Sequence, residues 1–183
     1  MKNDSLRKDY MRYAGKKNEM PKFQKYYRKS QSANNVILRI FYKCLLKYFR
    51  SKNLVELAAN CKIGDGLYIG HPYAITINPK AIIGSNCNIH KGVTIGQENR
   101  GKRKGTPVIG NDVWIGINST IVGNIKIGDD VLIAPNSYVN SDVPSHSICL
   151  GNPMKIVLKE YATDGYIDNI CEKLEDIDEE SGI

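Results

Sequence analysis

The sequence predicts a mainly β solenoid, in which short flat strands wind into three-sided coils that stack on one another. Two observations predict it. An apolar residue, usually isoleucine, recurs on a six-residue beat from Ile63 to Val139, often with glycine directly after it. A second apolar or small residue stands four positions after each beat, at Leu67, Tyr73, Ala81, Cys87, Val93, Val113, Ser119, Ile125, Val131, Ser137 and Val143. A helix would smear such a period around its surface. A hairpin sheet would alternate, with turn signals every ~8–12 residues. Each six is therefore one short side and a corner, three sides close a coil, and the beat residues stack into inward ladders.

Three regions follow in order: a basic segment over 1–54, the coils over 55–157, and a C-terminal segment over 158–183. Residues 1–53 hold fifteen Lys and Arg against three Asp and Glu, and residues 164–183 hold eight Asp and Glu against one Lys, within a net charge of +7. Such an excess suits an anionic substrate, an anionic membrane surface or acidic faces in an oligomer. Nucleic acid is not the expected partner. Residues 5–29 carry tyrosines and basic residues with little apolar periodicity. Residues 35–49 read as a helix. Ile37, Ile40, Phe41, Cys44, Leu45 and Tyr48 make one stripe, and Arg39, Lys43, Lys47 and Arg50 make the other face. That stripe suits packing against a neighbouring coil stack, or peripheral contact with a membrane surface.

Within the coils the beat breaks twice. Ile69 to Ile77 is eight residues and Ile95 to Ile109 is fourteen. The longer interval contains QENRGKRKGTP, residues 97–107, whose glycines and charges predict a loop leaving the coil. The glycines after the beats, with Asn86, Asn88, Asn111, Asn118, Asn124 and Asn136, are expected to supply corners that need a left-handed backbone. The acidic stretch 166–178 is expected to form a short helix. The five cysteines have no CxxC pair and read as buried free thiols, and no metal is expected. No run of 18 apolar residues and no secretory signal occurs, so the expected location is the cytoplasm.

Residues 55–157, through KIGDGLYIGH, NPKAIIGSNCNIHKGVTIG, TPVIGNDVWIGINSTIVGNIKIGDDVLIAPNSYVNSDVPSHS and GNPMK, resemble the hexapeptide-repeat acyltransferases with a left-handed parallel β-helix, in their serine acetyltransferase branch. The resemblance implies the hand of the coil, a homotrimer and acetyl-CoA as co-substrate, bound in the groove between neighbouring coil stacks. It implies that His71 is the catalytic base and that Glu56, fifteen residues earlier, is its carboxylate partner. Neutral imidazole suits the proton transfer, because its pKa lies near working pH. A carboxylate beside it would fix the tautomer and stabilise the imidazolium. The positions of Gly96, Gly116, Ile117, Ala134 and Pro135 match those that line the CoA arm, and Lys155 matches a basic residue near its phosphates. Arg100, Lys102, Arg103, Lys104 and Thr106 fall in the loop that overhangs the acceptor. Residues 5–29 would gain order from a trimer neighbour. His90 reads as a polar corner residue and His146 as a surface or capping residue.

The sequence also departs from that branch. Where the branch has an arginine–histidine pair before the loop's proline, this chain has Gly105 and Thr106, and where it has aspartate before the histidine, this chain has Gly70. The bidentate partner for an amino acid's carboxylate is gone, and so is one for its amine. Only about 55 residues precede the coils, as in a short group tied to surface-polysaccharide pathways. The expected acceptor is therefore a hydroxyl on a sugar or glycan precursor. The alternatives are L-serine, and a non-catalytic coil that only assembles.

Overall fold

The computed structural model describes residues 4–14 and 19–171. Three helices come first: α1 (Asp4–Arg12), α2 (Lys22–Ser32) and α3 (Val36–Lys52). Short strands then circulate round three faces. Face A takes β1 (Glu56–Leu57), β4 (Thr76–Ile77), β7 (Thr94–Gly96), β10 (Thr120–Val122) and β13 (Tyr138–Val139). Face B takes β2 (Lys62–Ile63), β5 (Ile82–Ile83), β8 (Val108–Ile109) and β11 (Lys126–Ile127). Face C takes β3 (Tyr68–Gly70), β6 (Asn88–His90), β9 (Val113–Ile115), β12 (Val131–Ile133), β14 (Ser147–Leu150) and β15 (Lys155–Leu158). Every pairing is parallel except β14 with β15, where the chain doubles back and closes the face. This is the predicted parallel solenoid.

All twelve beat residues from Ile63 to Val139 are buried. So is every second-position residue but one: Tyr73 is 52% exposed, and Ile75 takes the inward place. The glycines after the beats do a different job from the one expected. Gly64, Gly84, Gly110 and Gly128 stack face to face. A methyl built on Gly84 would lie 2.4 Å from the Gly110 carbonyl oxygen, so these positions are glycine because adjacent coils approach there. Left-handed corners fall instead on Asn86, Asn118 and Asn136, as expected, and on Asp112 and Asp130. Asn88, Asn111 and Asn124 do not take that conformation; Asn111 uses its side-chain oxygen to accept from the Ser85 amide at 2.9 Å.

Helices α1 and α2 are held to the first coil by apolar and polar contacts together: Phe23 and Tyr27 enter the coil core, Leu6, Tyr13 and Met20 form a second buried cluster, and a buried polar network joins them. Asp9, at 0% exposure, receives a bidentate pair from Arg28 at 2.8 and 3.0 Å, and further bonds from Gln24 Nε2 and the Leu67 amide at 2.9 Å each. Arg28 also donates to the Ile63 and Gly64 carbonyls at 2.9 and 2.6 Å. These bonds satisfy backbone groups at the open first coil, a sheet edge that would otherwise invite pairing. A search for apolar periodicity cannot see such a network.

Helix α3 starts at Asn35, whose side chain accepts from the Ile37 and Leu38 amides. Its predicted apolar stripe does not face its own coils: Ile37 is 77% exposed, and Leu46 is its buried residue. Four of the cysteines are buried and free, and Cys44 on α3 is exposed. Of the helix expected over 166–178, residues 166–170 are turn, bend or irregular, Cys171 is helical, and 172–178 lie outside the described residues.

Candidate active site at a coil corner

His71 sits where the chain passes from face C to face A, between β3 and β4. The eight-residue interval makes this corner two residues longer than its equivalents. His71 and Ala74 both take a left-handed backbone, with φ of 52° and 54°. The turn is tied down by the Tyr73 amide donating to the His71 carbonyl at 2.7 Å and the Ala74 amide to Asn53 O at 2.9 Å. Asn53 Nδ2 reaches the Pro72 carbonyl at 2.8 Å. The added length turns Tyr73 outward and leaves His71 exposed on a braced backbone.

One coil later, His90 lies over Gly70, its register partner. A methyl on Gly70 would fall 2.5 Å from His90 Nδ1, so the glycine makes room for the ring. The imidazole packs on Trp114 at 4.7 Å between centroids and meets Tyr68 edge-on at 6.5 Å. Burial pushes its pKa below the usual histidine value, and repulsion from His71 pushes the same way. His90 is thus a half-buried ring within electrostatic reach of His71, and more than the polar corner residue read from the sequence. His146 stands at the corner from face B to face C, where its Nδ1 lies 2.9 Å from Asp130 Oδ2.

Glu56 opens β1 on face A, exposed and in register with Thr76. It lines a groove with Arg50, Asn78, Pro79 and Gly96. Within the chain, no hydrogen bond joins it to His71 among the described residues. Gly116–Ile117 and Ala134–Pro135 repeat the His71 corner two and three coils on, because His90, Gly116 and Ala134 stack in one column above Gly70. A methyl on Gly116 would strike the Pro135 nitrogen at 2.6 Å, so coil stacking is enough to require this glycine. Lys155, exposed, faces Leu150 at the far edge of face C. Five strand steps of about 4.8 Å put it roughly 24 Å along the corner from His71.

The loop over 97–107 leaves at a different corner, from face A to face B. It forms a small hairpin, with Glu98 and Gly105 exchanging amide bonds at 2.9 and 3.0 Å. It rests on the coil through the Asn124 amide donating to Arg103 O at 2.9 Å and Thr106 Oγ1 to Lys80 O at 3.2 Å. Arg100, Lys102, Arg103 and Lys104 are all exposed. In one chain the whole of face A separates this loop from His71.

A cavity of about 330 Å³ opens behind His90, between the end of α1, face C and the segment at Tyr166. Its lining includes Arg12, Tyr13, Trp114 and Tyr166, none of which periodicity singles out, and Asn88, read from the sequence as a corner residue. Only an outward-facing tryptophan in a strand could have marked it.

Comparison with known proteins agrees with this architecture. Residues 106–141 match the family model described as bacterial transferase hexapeptide (six repeats). A serine acetyltransferase from Helicobacter pylori is 37% identical over 106 residues, 58% of this chain and 62% of that protein. One from Staphylococcus epidermidis is 41% identical over 106 residues, 58% of this chain and 50% of that protein. The chain thus spans less than two thirds of the length of these relatives. Soybean serine acetyltransferase, solved as the apoenzyme, superposes with a TM-score of 0.66 at 26% identity, covering 85% of this chain and 68% of that one. The serine acetyltransferase of Brucella abortus gives 0.71 at 24% identity over 87% and 70% of the two chains, a likeness of fold.

Proposed function

We propose that the chain is an acetyl-CoA-dependent O-acetyltransferase in which His71 is the general base and the acceptor is the hydroxyl of L-serine. The observation that carries this reading is an imidazole held exposed on a lengthened, braced corner, in coils that are similar to serine acetyltransferases. Neutral His71 takes the hydroxyl proton as the oxygen attacks the thioester carbonyl. The C–O bond forms, the C–S bond breaks, and the thiolate leaves as CoA thiol after receiving that proton. Lys155 would meet the CoA phosphates, with the arm running down the corner past Pro135 and Ile117.

The active unit in this reading is a homotrimer. The support is topological: His71 and the basic loop lie at different corners of one chain. A second copy placed beside the first brings one chain's loop over the other's His71, where Arg100, Lys102, Arg103, Lys104 and Thr106 would frame the acceptor. Glu56 serves as the carboxylate partner, reaching from face A toward the corner.

The relatives' names favour serine over the sugar acceptor expected from the sequence. The sugar reading keeps one specific observation, the glycine and threonine that stand where an amino acid's partners would be. Thiol release from acetyl-CoA, measured with L-serine and with a panel of neutral and acidic sugars, decides between them. Turnover with serine alone supports the proposal. Thiol release with none of them refutes it.

A further inference from the structure

We infer that the outer face of α3 docks the protein on a bilayer surface rich in anionic phospholipid. The inference stands apart from the acetyltransferase reading and rests on the helix itself.

One face of α3 is already used. Leu46 is buried in the coil core, and Tyr26 of α2 stacks on Tyr42 at 6.3 Å and on Phe49 at 5.3 Å. The opposite face is apolar and open. Ile37, Ile40, Phe41 and Tyr48 are each more than half exposed, and Cys44 is exposed beside them. Their spacing, at i, i+3, i+4, i+7 and i+11, makes one continuous stripe along the helix. Branched and aromatic side chains held together in water are costly, and a patch of them marks a contact surface.

Charge selects what the stripe meets. Residues 20–55 hold nine Lys and Arg and no Asp or Glu. Three of these cations, Arg39, Lys43 and Lys47, are exposed and follow one another at four-residue steps, so they form a row bordering the stripe. An apolar stripe edged by cations, with no carboxylate on the helix, matches a bilayer surface: the cations meet phosphate headgroups while the apolar side chains enter the acyl boundary. A second copy of the same face would set cation against cation, which repels. Tyr48, with the Lys52 ammonium 4.5 Å from its ring centroid, combines an apolar ring with a polar tip, as residues at headgroup level do. The 17 residues of α3 extend about 25 Å. No described helix is long and apolar enough to cross a membrane, so α3 lies on the surface and does not span it.

The test uses the full chain carrying an environment-sensitive fluorophore on Cys44, since the other four cysteines are buried. The protein is mixed with vesicles of phosphatidylcholine alone, or of phosphatidylcholine and phosphatidylglycerol in equal parts. Flotation of unlabelled protein gives an independent measure of binding. The mixed vesicles are expected to bind the chain, shift the label's emission to the blue and shield it from iodide. Added salt should weaken the binding. Changing Arg39, Lys43 and Lys47 together to Gln should weaken it about 100-fold, roughly fivefold per charge. Phe41→Glu should abolish the blue shift while the melting temperature stays unchanged. No binding to the mixed vesicles overturns the inference. So does equal binding to both kinds of vesicle, or flotation that survives both sets of substitutions, because another surface would then carry it. A label already blue-shifted without vesicles, in an oligomer that Phe41→Glu dissociates, would assign the stripe to a second copy and overturn it as well. If Phe41→Glu does not fold, the glutamine variant and the Cys44 label on wild type still decide.

Discussion

At the scale of single residues, His71 and His90 carry opposite burdens. His71 stands on a corner where its backbone is left-handed, a conformation that asparagine tolerates well. His71→Asn should therefore fold with an unchanged melting temperature and lose about 10²–10⁴-fold in kcat. A rate near wild type would remove the base. His90 is depressed first by burial and second by His71. The folded state then binds this proton more weakly than the unfolded state. Stability from this group is complete above about pH 6.5 and is lost as pH falls toward the folded pKa. The melting temperature of wild type should thus drop more steeply between pH 7 and 5 than that of His90→Phe, and parallel curves would contradict this. Arg12, chemically bland in the sequence, proves to be buried, with Nε and Nη2 bonded to Gly66 and Asn88 and Nη1 without a hydrogen-bond partner among the described residues.

At the scale of elements, the coils and the N-terminal helices share one apolar core through Phe23 and Tyr27, and the helices add a buried ion pair to it. The coils depend on close stacking. Gly84→Ala would set a methyl 2.4 Å from the Gly110 carbonyl oxygen and 2.5 Å from its carbon, so strand β5 must shift, and chemical denaturation should register a loss of about 1–3 kcal/mol. Helices α1 and α2 are joined through Asp9 and Arg28, both at 4% exposure or less. Asp9→Ala leaves a buried guanidinium uncompensated and should cost about 3–5 kcal/mol. Adding Arg28→Met should recover part of that loss, and no recovery would show that the pair is not the coupling element. Helix α3 was legible in pattern and not in orientation, because amphipathicity gives a stripe without saying which surface covers it.

At the scale of the whole molecule, the proposed site is divided between corners, with His71 at one and the basic loop at another. If neighbouring copies complete it, two inactive chains should complement each other. One carries His71→Asn; the other has loop 98–105 cut to a two-residue turn. Mixed at equal amounts through unfolding and refolding, random trimers would hold about one intact site in four. Activity that stays at background after mixing would mean that His71 and the loop act within one chain, or not together.

The six-residue beat by itself determined the solenoid, the inward ladders, and the two interruptions at the lengthened corner and the hairpin loop. It could do so because a stacked coil repeats one environment at a fixed spacing, and the apolar residues record that environment directly. Tertiary structure alone decided the rest. The pairing of Asp9 with Arg28, the approach of Arg12 to Asn88, and the seat of His90 between Tyr68 and Trp114 join positions far apart in the chain. Polar contacts of that kind depend on geometry between elements, and they leave no period in the sequence to read.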